Sequence, residues 1–253
     1  MRSFTLFLRS SVFTLVMLVF TPLWTLVCFL AAPLPYRQRY YVTSRWNATV
    51  IWLAKIICGI RYRLKGAENF PDAPAIVLSK HQSAWETIFL LYQLPRPLVF
   101  VFKKELLYIP FFGWALGLLR MIPIDRSLGV RAFRHVVTEG KKRLADGLWI
   151  IMFPEGTRSP VGGQGEYKGG GTRLALDTNT LIVPIAVNSG ECWPKNSFIK
   201  KPGLITVSIG PSISPRGHTH EQLMRQVENW IEGEMRIISP HAYPAQPTGT
   251  PTV

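Results

Sequence analysis

The sequence predicts an α/β fold with a mixed, largely parallel central sheet flanked by helices, preceded by N-terminal hydrophobic helices that attach to a membrane. Three observations predict it. The 253 residues are enough for one such domain plus an attachment segment. Residues 10–36 contain no charged side chain. After this run, short β-rich stretches alternate with helical patterns, as in sheets whose strands are joined by helices.

Residues 1–62 are predicted to form a hydrophobic, basic membrane-attachment segment. Its uncharged run exceeds the roughly 20 apolar residues of a spanning helix and the shorter apolar core of a signal peptide. Pro22 would kink the run or turn it into a hairpin. Basic residues flank both ends, so spanning, re-entrant and interfacial placements all stay open. Residues 46–60, with Lys55 as their single charge, predict an interfacial helix.

Positive charge is concentrated at the N-terminal end of the chain. The net charge is +14, and +9 of it precedes Glu68, the first acidic residue. Such an excess attracts nucleic acid or anionic lipid. Because it flanks apolar segments and no nucleic-acid recognition motif accompanies it, we expect an anionic membrane surface as partner and no nucleic acid.

Residues 63–238 are predicted to form the α/β domain. Strands are expected at 75–79, 97–102, 148–153, 181–187 and 204–210, and helices near 83–93, 111–119, 127–146, 171–178 and 219–237. Ser127 is the predicted N-cap of the third helix, and Gly147 is its predicted C′ residue. Pro184 indicates that its strand lies near an edge or a bulge. Residues 239–253 are rich in Pro and Thr and are predicted to form a disordered tail.

The segment SKHQSAWET follows the first predicted strand and opens a helix. His81 and Glu86 are five residues apart, about 140° around an ideal helix, so they would not meet inside one. They meet if His81 precedes the helix and Glu86 lies in its first turn, a placement supported by the capping-box pattern of Ser83 and Glu86. Glu86 would then accept a hydrogen bond from one imidazole nitrogen and make the other a better base. A purely structural cap remains the alternative.

The segment FPEGTRSP, residues 153–160, directly follows a predicted strand. Its glycine-containing turn would point backbone N–H groups outward, and Thr157 and Arg158 add a hydroxyl and a guanidinium group. This combination suits a phosphate group. Glu155 would orient Arg158 or cap the turn. An ordinary solvated turn is the alternative.

Two further regions carry basic residues beside apolar ones. Lys103, Lys104 and Arg126 bracket an apolar stretch, as expected where a phosphorylated headgroup meets acyl chains. Lys168 precedes a glycine-rich helix start, another candidate anion site. Solvated helix ends are the alternative for both. The segment VPIAVNSG, residues 183–190, carries little functional signal of its own.

Four of these segments, around His81, at 102–126, at 153–160 and at 183–190, resemble in their order and spacing the glycerolipid acyltransferase family, and within it the bacterial 1-acyl-glycerol-3-phosphate acyltransferases. The family's H-x4-D motif corresponds to HQSAWE, and its other motifs correspond to YIPFFG with IPIDR, to FPEGTRS and to VPIAVNSG. The resemblance extends over residues 60–210. Glu86 stands where the family has Asp and is one methylene longer, so the geometry of the pair must adjust.

The resemblance implies a site and a reaction. His81 would be the catalytic base with Glu86 as its partner, and the phosphate-recognition positions would be Arg126, Glu155, Gly156, Thr157 and Arg158, with Lys103 and Lys168 as additions. The implied reaction moves a fatty acyl group from a coenzyme A or acyl carrier protein thioester to the sn-2 hydroxyl of lysophosphatidate, making phosphatidic acid for phospholipid biosynthesis. No bound cofactor and no metal are expected. The implied location is the bacterial inner membrane, with the active domain on the cytoplasmic face.

Other functions remain to be weighed against this one. A different acceptor, such as glycerol-3-phosphate, another lysophospholipid or an acylated amine, would use the same chemistry. A serine hydrolase would need the G-x-S-x-G elbow, which the sequence lacks. A non-catalytic membrane adaptor would not need His81 and Glu86 at a helix mouth. The three isolated cysteines predict a reducing compartment and no structural zinc site.

Overall fold

The computed structural model describes residues 2–243, without the side chains of residues 2, 112, 126 and 130. The helices are α1 (Arg2–Leu30), α2 (Tyr36–Cys58), α3 (Trp85–Gln93), α4 (Phe112–Leu118), α5 (Val130–Ala145), α6 (Gly170–Thr178) and α7 (His220–Ile238). The strands are β1 (Ile60–Lys65), β2 (Ile76–Ser79), β3 (Leu98–Lys103), β4 (Ile122–Ile124), β5 (Trp149–Met152), β6 (Ile182–Val187) and β7 (Gly203–Ile209). Short 3-10 helices include Lys104–Tyr108, Arg126–Leu128 and Ser189–Glu191.

The described strands form one sheet in the order β1-β7-β6-β2-β5-β3-β4. The five strands from β6 to β4 are mutually parallel, whereas β7 is antiparallel to β6 and β1 is parallel to β7. The predicted mixed, largely parallel sheet is therefore confirmed. Because the five parallel strands end at one edge, the loops that follow them meet there, and such an edge is where α/β proteins bind their ligands. We call it the carboxyl edge.

Helices cover both faces of this sheet. The chain moves outward from β2 to β3 and β4, and then returns through β5 to β6. Since crossovers between parallel strands are right-handed, α3 and α4 lie on one face and α5 and α6 on the other. α1 and α2 pack on the first face, against α4 and α3. α7 packs on the second face, against β6 and α6.

β6 is a central strand with all six residues buried. Of the predicted edge or bulge near Pro184, the edge is wrong, but the pairing of the strand is interrupted beside this residue. β6 pairs with β7 only from Ile185 onward, Gly210 donates a hydrogen bond to the Pro184 carbonyl, and contact resumes at Ile182 and Ile213. The missing N–H of Pro184 thus coincides with a break in the ladder.

Among the described residues, α1 alone is long and apolar enough to cross a membrane, judged by length and composition. A signal sequence would pass the same test, so this finding supports membrane association weakly. Pro22 lies inside α1 without ending it, and the turn to α2 comes only after Leu30. α2 starts ten residues before the predicted interfacial stretch and packs between α1 and α3.

Two predicted boundaries fall inside ordered structure. The boundary between residues 62 and 63 lies within β1, which pairs with β7 along its whole length. The predicted disordered tail begins at residue 239, yet the residues up to Tyr243 pack on the domain, and Tyr243 is buried and accepts a hydrogen bond from Gln82. Residues 244–253 of the predicted tail lie outside the described residues.

The start of α5 differs from the prediction that Ser127 caps it. α5 begins at Val130. The Ser127 N–H and hydroxyl both donate to the Asp125 carboxylate, at 3.0 and 2.6 Å. This local turn competes with helix capping, because a short acidic side chain captures donors two residues ahead. The predicted C′ residue is confirmed, since Gly147 follows α5 with a φ of 77°.

Candidate active site

His81 lies at the carboxyl edge, in the turn between β2 and α3. Its Nδ1 is 2.7 Å from Oε1 of Glu86, which occupies the first turn of α3. The predicted placement of the pair is confirmed. The capping box is formed in part: the Ser83 N–H donates to Glu86 Oε1, but the Ser83 hydroxyl accepts from Trp85, where α3 begins. Glu86 therefore serves as a helix cap and as the partner of His81 together.

The Glu86 carboxylate is 1% exposed and accepts five hydrogen bonds. Three reach Oε1, from His81 Nδ1 and from the N–H groups of Gln82 and Ser83. Two reach Oε2, from the hydroxyl groups of Ser83 and Ser189. The extra methylene of glutamate is thus accommodated by a complete cage of donors, since a buried carboxylate needs every lone pair satisfied.

This cage determines the protonation of Glu86. Burial raises the pKa of the carboxyl group, but the hydrogen bond and charge of His81, with further hydrogen bonds from Ser189 and Ser83, outweigh burial, and the net pKa is lowered. Glu86 is therefore ionised near neutral pH. An ionised carboxylate only accepts hydrogen bonds, so Nδ1 of His81 carries a proton.

The other imidazole nitrogen is the reactive one. With the proton on Nδ1, Nε2 presents a free lone pair, and it has no hydrogen-bond partner within residues 2–243. The His81 ring stacks on Phe153 with centroids 3.9 Å apart and an interplanar angle of 15°, and its side chain is 16% exposed. A clamped ring with one accessible basic nitrogen can remove a proton from a bound hydroxyl group.

The turn after β5 lies beside His81, one strand away. Ser159 donates its N–H to the His81 carbonyl at 2.8 Å, which fixes the two loops to each other. Gly156 has a φ of 67°, and the aliphatic chain of Lys168 lies against it. Thr157 is exposed and Arg158 is partly exposed. The structure thus places the turn that contains Gly156, Thr157 and Arg158 next to the loop of His81, with Lys168 against Gly156.

The prediction that Glu155 contacts the phosphate needs correction. Glu155 is 3% exposed and points inward. Its Oε1 accepts the His81 N–H at 3.3 Å, and its Oε2 accepts from Lys80 and from the Gly165 N–H. A buried carboxylate would repel a phosphate group, whereas here it anchors the backbone of His81.

Lys103 and Arg126 lie farther from the dyad. Lys103 is exposed at the end of β3, two strands from β2, or about 10 Å at a spacing of about 4.8 Å. Arg126 follows β4, one strand beyond, and its side chain lies outside the described part of the structure. Lys104 forms an ion pair with Asp125, which holds these two loops together. Lys103 and Arg126 thus follow strands that end at the carboxyl edge, two and three strands from the strand that precedes His81.

Comparison with known proteins bears on this site. The family model described as "Acyltransferase" matches residues 61–188. That range includes the dyad, the turn after β5 and the end of β6. The chain belongs to the acyltransferase family.

Several relatives match most of the acyltransferase chain. A 1-acyl-sn-glycerol-3-phosphate acyltransferase of Pseudomonas aeruginosa is 43% identical over 238 residues, 92% of this chain and 92% of that protein. One from Limnanthes douglasii is 31% identical and covers 82% of this chain and 74% of its own. The crystal structure of the Thermotoga maritima 1-acyl-sn-glycerophosphate acyltransferase PlsC superposes with a TM-score of 0.79 at 23% identity, over 94% of this chain and 97% of that chain. This last likeness shows the fold.

Sequence reasoning missed the buried polar groups beneath the acyltransferase site. Lys80 is fully buried and donates to Glu155, to Glu232 of α7 and to the Gly163 carbonyl, at 3.2, 2.8 and 3.0 Å. Tyr167 donates to Glu232 at 2.8 Å. Lys80 directly precedes the predicted base. A lysine between a buried strand and a candidate base is the sequence signal that could have indicated a buried ion pair here. Nothing local pointed to Glu232.

Proposed function

We propose that this acyltransferase moves a fatty acyl group from an acyl thioester to the sn-2 hydroxyl of 1-acyl-glycerol-3-phosphate, making phosphatidic acid in phospholipid biosynthesis. One observation carries the proposal: Nδ1 of His81 is bound by the buried, ionised Glu86 at 2.7 Å, which leaves Nε2 free for an incoming hydroxyl. The names of the relatives in Pseudomonas and Limnanthes support the acceptor.

The dyad would act by direct transfer. Nε2 of His81 takes the proton from the sn-2 hydroxyl as its oxygen attacks the thioester carbonyl. The new C–O bond forms, the C–S bond breaks, and the thiolate leaves with the proton that the imidazolium returns. Glu86 stabilises the imidazolium while it exists, because a buried anion at hydrogen-bond distance favours the charged ring. A thiolate leaves readily, so no covalent enzyme intermediate is required.

The turn after β5 would bind the acceptor's phosphate. Arg158 offers a guanidinium group that can form two hydrogen bonds to a phosphate, and Lys168 adds a second positive charge beside Gly156. Lys103 and Arg126 lie at the ends of β3 and β4, where they would neutralise the remaining charge of the acceptor or the donor. Ser159 is the last residue of this turn. The hydrogen bond from its N–H to the His81 carbonyl would set the distance between the bound phosphate and the base.

Charge supports the proposed donor and location. Coenzyme A is polyanionic and acyl carrier protein is acidic, and both suit a chain with a net charge of +14. The apolar α1 and the basic residues around it would hold the enzyme at an anionic leaflet, on the cytoplasmic face of a bacterial inner membrane. The thioester is a co-substrate, and no resident cofactor is part of the proposal.

An acceptor panel tests this function. Purified full-length protein is supplied with acyl-coenzyme A or acyl carrier protein thioester and, separately, with lysophosphatidate, glycerol-3-phosphate, lysophosphatidylcholine and an acylated amine, and products are read by lipid mass spectrometry. We expect phosphatidic acid as the main product. His81→Ala should lower turnover by about 10²- to 10⁴-fold, the contribution typical of a general base. Faster acylation of another acceptor, or near-normal turnover of His81→Ala, would refute the proposal.

A further inference from the structure

Four large apolar side chains lie exposed after β3. The exposed fractions are 79% for Tyr108, 44% for Ile109, 39% for Phe111 and 48% for Trp114. Residues 108–114 join the 3-10 helix Lys104–Tyr108 to the first turn of α4, and we call them the 108–114 loop. Large exposed apolar patches on a soluble surface mark a site of interaction with a partner or a membrane. No hydrogen bond, ion pair or cavity of the proposed chemistry uses these four side chains.

The loop is firmly held, and one of its residues is strained. Leu106 and Leu107, just before it, pack against the core, and the Gly113 N–H donates to the Ile109 carbonyl at 2.8 Å. Phe111 has a φ of 64°, a conformation that is strained for a bulky side chain. The fold therefore exposes large apolar side chains to water on a backbone that includes a strained residue. Transfer of these side chains from water to an apolar environment would stabilise this arrangement.

The position of the loop indicates where they go. The ring of Trp114 contacts Phe29 of α1, with centroids 5.7 Å apart. α1 carries exposed apolar side chains along its length from Phe4 to Leu30, so the loop extends this apolar surface toward the carboxyl edge. Lys103 is exposed at the start of the segment that carries the loop. Aromatic side chains beside a basic residue are the composition found at the membrane–water interface.

We propose that the 108–114 loop inserts into the headgroup region of the lipid layer that α1 contacts, and so forms a second membrane contact directly beside the active site. The partner is a lipid surface, identified by continuity with the apolar face of α1 and by the positive charge of Lys103. The carboxyl edge then faces the lipid layer, and an acceptor could reach His81 without leaving the membrane. This inference rests on the proposed function, because that function supplies the membrane-bound acceptor.

A fluorescent probe at the tip tests the insertion without using activity. The three native cysteines are buried, so a nitrobenzoxadiazole label reacts selectively with Tyr108→Cys in the full-length protein. Thr138→Cys is the control, since Thr138 is exposed on α5 on the opposite face of the sheet. Both proteins are reconstituted in vesicles of phosphatidylethanolamine and phosphatidylglycerol.

The two positions should respond differently to two quenchers. We expect the label at 108 to be quenched by lipids with a spin label near the headgroup and to be shielded several-fold from aqueous iodide, and the label at 138 to show the reverse. Equal iodide quenching at both positions would overturn the inference. Shielding at 108 without quenching by the lipid label would also overturn it, because the cover would then be a second copy of the chain or another protein.

Kinetics separate this inference from the proposed function. Tyr108→Glu should lower kcat/KM about tenfold for a long-chain lysophosphatidate embedded in vesicles, because a charge opposes insertion. It should leave a short-chain, water-soluble lysophosphatidate unaffected, and Thr138→Glu should change neither. Equal losses on both acceptors would contradict a membrane role. If the unaltered enzyme acylated neither acceptor, the proposed function would fail while the quenching result still decided the insertion.

Discussion

The hydroxyl of Ser189 donates a hydrogen bond of 2.5 Å to Oε2 of Glu86, although the two residues are 103 positions apart. Ser189 follows β6 and Glu86 follows β2, and these parallel neighbours end at the same edge. Both side chains are buried, so water cannot replace the bond. Ser189 therefore acts on His81 through Glu86, as a positioning residue.

Ser189→Ala should slow the chemical step. Hydrogen bonds to charged groups contribute about 1.5–3 kcal/mol, so we expect kcat to fall at least about tenfold with little change in KM. Ser208→Ala is a matched control, since Ser208 donates a similar bond to Glu234 away from the site. A kcat within a few-fold of that of the unaltered protein would show that Ser189 has only a structural role.

The pair itself was accessible from the sequence, and its surroundings were not. His81 and Glu86 are separated by one turn, so helix geometry and a capping pattern were enough to predict their contact. Ser189 contacts Glu86 from the end of β6, and Glu232 contacts Lys80 from α7. Their approach depends on strand order and on long-range packing, which local patterns do not encode.

For the fold as well, local sequence patterns predicted some elements and missed others. The five predicted strands are apolar runs, and each is present. β1 and β4 were missed, because β1 alternates basic and apolar residues at the sheet margin and β4 has three residues. Ser127 was wrongly predicted to cap α5. The sequence pattern does not show that the Ser127 hydroxyl would instead donate a hydrogen bond to Asp125.

The lowered pKa of Glu86 makes stability depend on pH. The unfolded value is 4.5 and the folded value lies below it, so the stabilisation is complete above the unfolded pKa and is lost as pH falls through the folded pKa. The melting temperature of the unaltered protein should therefore drop more between about pH 6 and about pH 3.5 than that of Glu86→Gln, which cannot titrate there. Thermal unfolding in detergent at both pH values measures the difference. Parallel decreases would contradict the assignment.

Arg158→Ala should weaken acceptor binding while sparing the chemistry. Losing a charge-assisted hydrogen bond of about 1.5–3 kcal/mol should raise KM for lysophosphatidate by about 10- to 100-fold and leave kcat within a few-fold. The same change should have no effect on a monoacylglycerol acceptor, which has no phosphate. Arg134→Ala, on the exposed face of α5, controls for the loss of net charge. A fall in kcat at unchanged KM would place Arg158 at the reacting atoms instead.

Lys80→Met should destabilise the domain, because it leaves two carboxylates buried without their counter-charge. Lys80 is fully buried between Glu155 and Glu232, and removing one partner of a buried ion pair costs about 3–5 kcal/mol. The double variant Lys80→Met with Glu232→Gln should recover part of that loss, since one of the stranded charges is then neutral. Lys141→Met, on the exposed face of α5, is the control and should change little. Unfolding temperatures of the parent, Lys80→Met, Glu232→Gln and the double variant form a double-mutant comparison. A Lys80→Met variant as stable as the parent would show that the three groups share no stabilising charge interaction.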